Sequence, residues 1–159
     1  MQIWVDADAC PRDIKDILCR AAERRRVQVT MVANRYLRVP PSDFVAVLVA
    51  AAGVDEADEA IAARVVAGDL VVTSDIPLAS QVIEKGGQAL SPRGELYTVE
   101  NVGARLNMRD FLESLRSSGS VDTGGPPPLG QADRQAFADH LDRILTRALR
   151  PPAAPGPAG

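Results

Sequence analysis

The feature of this sequence that most constrains its fold is the alternation of short β-rich segments with segments of helical periodicity. The β-rich segments cover residues 2–6, 27–33, 44–50, 69–75 and 88–92. Apolar residues at helical spacing cover 11–26, 55–67 and 77–84. The resulting order is β-α-β-β-α-β-α-β. Because strands separated by helices of this length pair in parallel, we predict an α/β fold with a mostly parallel sheet and helices on both faces.

The pattern changes after residue 97, which predicts the domain organisation. Residues 1–117 form the α/β domain and end in a helix over 99–117. Residues 118–130 are rich in Gly, Ser and Pro and read as a linker. Residues 131–149 are amphipathic and predict a helix that packs on the domain. The Pro/Ala-rich segment 150–159 predicts a disordered tail.

The composition excludes several classes of protein. The net charge of -3 creates no overall field that attracts nucleic acid, so a polyanion site must be a local patch. Two cysteines and one histidine are too few for a disulfide framework or a zinc site. No apolar run approaches the ~20 residues of a membrane span. We therefore expect a soluble cytoplasmic protein that does not bind membranes.

Acidic residues stand where buried strands of the predicted sheet end. Asp6 ends the first strand and Asp75 the strand over 69–75, while Asp8 follows in the next loop and Asp58 lies near the start of a helix. Ligands of open α/β sheets bind beyond the C-terminal ends of the strands. Single aspartates at such positions are commonly caps and turn formers. Two at the ends of two buried strands favour a functional site.

Crowded carboxylates repel one another, and a hard divalent cation removes that repulsion. Mg²⁺ and Mn²⁺ favour carboxylate and water oxygens. Such an ion also activates water and stabilises the charge that develops in phosphoryl transfer. Asp6, Asp8, Asp58 and Asp75 are therefore the predicted ligands of Mg²⁺ or Mn²⁺.

Several motifs occur in the same order as in a known family. They are WVDADACP, VANRYLRVP, TSDIPLA, SPRGELYT, TGGP and DRQAFADHLDR. With these motifs the chain resembles the bacterial YaiI/YqxD family of uncharacterised proteins over roughly residues 1–148. That family is grouped with PIN-like domains, which are metal-dependent nucleases on a compact α/β sheet. The resemblance implies a three-layer α/β/α fold with additional C-terminal helices.

The resemblance also implies roles for individual acids. The PIN-like pattern places an acid after the first strand, here Asp6, and an Asp three residues before an aliphatic residue on a central helix, here Asp58. It places a third acid in a T-x-D context, here Asp75, while Asp8 belongs to the family's DADAC motif. Many PIN domains have a further acid on an early helix, and this sequence has no clear equivalent.

Cations near the same sheet edge are the predicted contacts for phosphate, because such contacts supply most of the nonspecific affinity for nucleic acid. Asn34, Arg35 and Arg38 lie in the loop after the second strand, and Arg93 lies in the loop after the last one. Tyr97 is a candidate for stacking on a base.

Three functions remain open. The leading hypothesis is a metal-dependent nuclease that hydrolyses RNA or DNA, with Asp6 and Asp75 as catalytic residues and water as the nucleophile. The second is a phosphatase of the haloacid dehalogenase type, in which Asp6 attacks phosphorus and Asp8 acts as acid and base. Against it, Ala9-Cys10-Pro11 stands where such enzymes usually have Gly-Thr. The third is a non-catalytic module that binds nucleic acid or protein.

Overall fold

The computed structural model describes residues 1–50, 56–107 and 128–149. The strands are β1 (Gln2–Asp6), β2 (Gln28–Ala33), β3 (Val45–Val49), β4 (Leu70–Val72), β5 (Gln88–Leu90) and β6 (Leu96–Tyr97). The helices are α1 (Arg12–Arg25), α2 (Glu56–Arg64), α3 (Ile76–Glu84), α4 (99–107) and α5 (Gln131–Ala148). A single 3-10 turn over Ala7–Ala9 joins β1 to the start of α1.

The strands form one six-stranded sheet in the order β3-β2-β1-β4-β5-β6. All neighbouring pairs are parallel except β5 and β6, which are antiparallel. This confirms the predicted α/β class and the mostly parallel sheet. Sequence periodicity missed β6, because a strand of two residues is too short to show a period.

Helices cover both faces of the sheet, and the order of the strands explains which helix lies on which face. From β1 the chain moves outward to β2 and β3, and it then returns past β1 to β4 and moves outward on the other side. Because crossovers between parallel strands are right-handed, reversing the direction changes the face. One core accordingly contains residues of α1 and α5, and the other contains residues of α2, α3 and α4. The reversal lies between β1 and β4.

The connection between β2 and β3 is a loop, although parallel strands are usually joined through a helix. We call residues 34–44 the strap. Pro40 and Pro41 cannot donate a backbone hydrogen bond, so this segment cannot form a regular helix. Leu37, Val39 and Phe44 pack against the core that contains α1. The strap therefore runs beside α1 on the same face, from the C-terminal edge of the sheet to the N-terminal edge.

Helix α5 packs on the domain through buried Phe137, Leu141 and Leu145, which share the core of α1. Ion pairs from Arg25 to Asp142 (2.6 Å) and from Arg134 to Asp13 (3.3 Å) link the two helices.

Parts of the predicted organisation lie outside the described residues, namely 108–117 of the predicted helix, most of the linker and the tail at 150–159. Among the described helices, none combines the length and the apolar character that a membrane span requires.

Replacing Gly94 by alanine should weaken the packing of α5. Gly94 has φ of +86°, and an added Cβ would lie 2.5 Å from the backbone nitrogen of Phe137. We expect Gly94→Ala to lower the free energy of unfolding by about 2–3 kcal/mol. In a chain of this size that lowers Tm by roughly 5–10 °C, which circular dichroism measures.

The matched control is Gly103→Ala on α4, where a Cβ meets nothing within 4 Å. Alanine is the better helix former, so this variant should be as stable as the wild type or slightly more stable. Equal values of Tm for the two variants would contradict the close approach of α5 to Gly94.

Candidate active site

The predicted acids lie where the chain reverses its direction across the sheet. Asp6 is the last residue of β1, and Asp75 follows β4, which pairs directly with β1. Asp58 lies in the first turn of α2. A topological switch point of this kind is where open α/β sheets bind their ligands. The structure therefore brings Asp6, Asp58 and Asp75 together.

The hydroxyl of Thr73 joins the two strand ends. The register between β1 and β4, extended by one residue, places Thr73 beside Asp6. Its Oγ1 donates to Oδ2 of Asp6 (3.0 Å) and accepts from the backbone nitrogen of Asp75 (2.9 Å). Oδ1 of Asp75 in turn caps α3 by accepting from the backbone nitrogen of Leu78 (2.8 Å). Each of the two carboxylates is therefore held by a hydrogen bond to one of its own oxygens, Oδ2 in Asp6 and Oδ1 in Asp75.

The carboxyl of Asp58 lies within hydrogen-bonding reach of the carboxyls of both Asp6 and Asp75. Burial is the main cause that raises the pKa of Asp58 from 3.8 to about 8, and its two acidic neighbours add to the rise. Burial also raises the pKa of Asp6. Because three anions cannot share so small a space, Asp58 keeps a proton at neutral pH.

Asp8 lies beside this cluster and has a separate partner. Its negative charge contributes to the raised pKa of Asp6, which places it nearby. Its Oδ2 accepts from the backbone nitrogen of Asn34 (2.9 Å). Asp8 therefore holds the first residue of the strap at the border of the acid cluster.

The donor set suits a hard divalent cation. Within residues 1–50, 56–107 and 128–149, no three His, Cys, Asp or Glu side chains are arranged as a metal site. The cluster consists of carboxylates, however, and these are the ligands that Mg²⁺ and Mn²⁺ favour. The proton of Asp58 compensates the crowded negative charge, and a cation bound there would displace it. The carboxyls of Asp6, Asp58 and Asp75 suit such an ion chemically, and metal binding by these residues and by Asp8 stays a prediction.

The predicted phosphate contacts have different surroundings. Arg35 and Arg38 are exposed in the strap, close to the residue that Asp8 holds. Arg93 forms an ion pair with Asp133 of α5 (3.0 Å) and is partly buried. The role of Asn34, Arg35, Arg38 and Arg93 in binding nucleic acid stays a prediction.

The predicted stacking role of Tyr97 is wrong. Its side chain is buried, and the guanidinium of Arg105 lies 5.4 Å from the centre of its ring. Arg105 also forms an ion pair with Glu95. Both residues line a cavity of ≈ 390 Å³ that extends from Ser74 to Arg93. Sequence reasoning missed Arg105, because nothing in the helical pattern of α4 relates it to the sheet edge.

Asp69 also lies beside a strand, but it is not part of the acid cluster. It precedes β4, at the opposite edge of the sheet, and is 4% exposed. Its carboxylate accepts from the backbone nitrogens of Gln2 (3.0 Å) and Val66 (3.1 Å) and from the indole of Trp4 (3.1 Å). This acid stabilises the start of the sheet, and the sequence separates it from Asp6 because Asp69 begins a β-rich segment whereas Asp6 ends one.

The comparison with known proteins shows the family of this chain. The model of the family described as "Uncharacterized BCR, YaiI/YqxD family" matches residues 4–147. The chain belongs to that family, which confirms the resemblance seen in the motifs.

Individual relatives cover most of the chain. A UPF0178 protein of Shewanella amazonensis is 64% identical over 147 residues, which are 92% of this chain and 98% of that protein. A UPF0178 protein of Syntrophotalea carbinolica is 62% identical over 147 residues, or 92% of this chain and 99% of that protein. One of Hydrogenovibrio crunogenus is 62% identical over 150 residues, or 94% and 99% of the two chains. No solved structure matches.

The raised pKa of Asp58 predicts how stability depends on pH without metal. Between pH 3.8 and about 8 the folded chain keeps a proton that the unfolded chain releases, so the free energy of unfolding falls as pH rises and levels off above pH 8. Asp58→Asn removes this contribution. Because Asp58 is partly exposed, we expect the variant to be more stable at pH 8 by only about 1 kcal/mol.

Chemical unfolding in EDTA between pH 5 and pH 8 measures this difference. The control is Glu59→Gln, an exposed acid next to Asp58 on the same helix, which should keep the wild-type slope. A wild-type slope in Asp58→Asn would show that Asp58 is ionised in the folded protein.

Proposed function

We propose that this protein is a divalent-metal-dependent nuclease that hydrolyses phosphodiester bonds of RNA or DNA. The observation that carries the proposal is the meeting of Asp6, Asp58 and Asp75 at the switch point of the sheet. Structural acids such as Asp69 are satisfied by backbone and indole donors. Asp6 and Asp75 also accept hydrogen bonds, but they lie beside a third acid, Asp58, and this crowding of carboxyls destabilises the apo protein.

The roles of the residues follow from their contacts. Thr73 fixes the carboxylate of Asp6, and the N-terminal turn of α3 fixes that of Asp75. Asp58 gives up its proton when a cation binds. A bound Mg²⁺ or Mn²⁺ ion supplies Lewis acidity towards phosphate and lowers the pKa of water. Arg35 and Arg38 offset the negative charge of the incoming phosphates.

The resemblance to PIN-like domains supports the same reading. The acids that it maps, Asp6, Asp58 and Asp75, are the three that the structure brings together. The departure noted in the sequence remains: among the described residues, the acids that act on Asp6 and Asp58 come from β1, the turn after it, α2 and the N-cap of α3. Helix α1 contributes none of them.

A non-catalytic module that binds nucleic acid is the second candidate. The hydrogen bonds that occupy Asp6, Asp8 and Asp75 favour it, because they hold the carboxylates in place without a metal. The phosphatase hypothesis has less support, since Ala9-Cys10-Pro11 follows Asp8 where such enzymes usually have Gly-Thr. Trapping of an aspartyl-phosphate on Asp6 would favour the phosphatase.

Cleavage of end-labelled single-stranded RNA and DNA tests the nuclease. We expect cleavage with Mn²⁺ or Mg²⁺ and none with EDTA. Asp6→Asn and Asp75→Asn should each lower the rate by at least about a hundredfold, because each removes a charged metal ligand. The control Asp43→Asn replaces an exposed acid of the strap and should keep the wild-type rate.

Two results would contradict the proposal. Failure of the wild-type protein to cleave any strand with either metal would favour the binding module. Equal cleavage by the wild type and both acid variants would identify a contaminating nuclease as the source of activity.

A further inference from the structure

A groove of ≈ 610 Å³ lies between α1 and the strap. Arg12, Lys15 and Cys19 of α1 form one wall, residues 37–41 of the strap form the other, and Met31 of β2 contributes to the floor. The groove exists because the strap is extended. A helix in this connection would have packed against α1 and filled the space.

The walls of this groove carry more positive than negative charge. The side chains of Arg12, Lys15 and Arg38 form no ion pair and no hydrogen bond with the described part of the chain, and each lines the groove. By contrast, Arg25, Arg105 and Arg134 are paired with acids. One acid, Asp16, also lines the groove, so its local charge is positive in a chain whose net charge is -3.

The strap also presents an aromatic ring to solvent. Tyr36 is 72% exposed, lies next to Arg35 and stands two residues before Arg38. A nucleic-acid base can stack on an exposed ring of this kind.

Both walls of the groove start, along the chain, close to residues of the candidate active site. The first residue of the strap, Asn34, donates its backbone N–H to Asp8, and Arg12 starts α1 four residues after Asp8. Both walls then run from the C-terminal edge of the sheet to the N-terminal edge. Arg12, Lys15 and Arg38 line the groove, and Arg35 lies between Asn34 and the strap wall in the sequence.

We propose that the groove between α1 and the strap binds the backbone of single-stranded RNA or DNA, with one unpaired base stacked on Tyr36. The path of the strand to the acid cluster rests on the proposed function, whereas binding in the groove requires no hydrolysis. The exposed ring of Tyr36 beside the cations favours this occupant over an acidic polypeptide, which needs only the cations.

Binding of fluorescently labelled oligonucleotides to the full chain in EDTA tests the proposal, because hydrolysis is then blocked. The probes are single-stranded RNA, single-stranded DNA and the matching DNA duplex. The groove variant is Arg12→Gln/Lys15→Gln/Arg38→Gln. The control is Arg24→Gln/Arg143→Gln/Arg147→Gln, which removes the same number of exposed positive charges outside the groove.

We expect single strands of RNA or DNA to bind more tightly than the duplex. Each lost phosphate contact lowers the salt slope for a single strand by about 0.7, so the groove variant should lower the slope of log K against log salt by about 2. The control variant should keep the wild-type slope. Five of the six cations are exposed and Lys15 is half-buried, so both variants should fold, which circular dichroism checks.

Two substitutions of Tyr36 test the stacking separately. Tyr36→Ala should weaken binding of single strands about tenfold, because it removes the ring. Tyr36→Phe keeps the ring and should bind as the wild type does.

The outcomes separate this inference from the nuclease proposal. Groove-dependent binding without cleavage in Mn²⁺ would support the groove and contradict the nuclease. Cleavage with equal salt slopes for the groove and control variants would overturn the groove. Displacement of the oligonucleotide by polyglutamate at equal charge concentration, or equal binding of duplex and single strand, would also overturn it.

Discussion

The parallel pairing of β1 with β4 is the contact on which the candidate site depends. These strands are distant in sequence, and their pairing marks the place where the chain reverses its path across the sheet. Because of it, Asp6 and Asp75 leave the same edge side by side, and a single hydroxyl, that of Thr73, bonds to both strand ends. The first turn of α2 then brings Asp58 over the gap between them.

The acid cluster works against the stability that the rest of the fold supplies. Ile3, Val5 and Val72, which precede the acids on these strands, are fully buried and anchor the strand ends. At those ends the carboxyls of Asp6, Asp58 and Asp75 lie so close together that Asp58 retains its proton. Residues that break the local rules of stability in this way are typical of functional sites, because folding alone gives no reason to keep them.

The sequence predicts the parts of this arrangement that depend on local pattern. The periods of β1, α1 and β4 are clear, and the rule that parallel strands end at one edge was enough to group Asp6 with Asp75. The long-range contacts could not be read in that way. Examples are the ion pair of Arg93 with Asp133, the burial of Tyr97 and the hydrogen bond from Asn34 to Asp8. Each depends on contacts between segments that are distant in sequence, and such contacts leave no periodic pattern in the sequence. The groove exists because the strap is not a helix. In the sequence, only the two prolines of the strap indicate this.

Those prolines have a thermodynamic consequence for recognition. A proline holds its own φ near -65° and keeps the residue before it extended, so Val39, Pro40 and Pro41 have little conformational freedom to lose. Anchoring of Leu37 and Val39 in the core restricts the segment further. The backbone of this wall lost its conformational entropy when the protein folded, so it loses little more when a ligand binds beside it. The affinity of the ligand is therefore reduced mainly by the ligand's own loss of freedom, and the wall adds little to that loss.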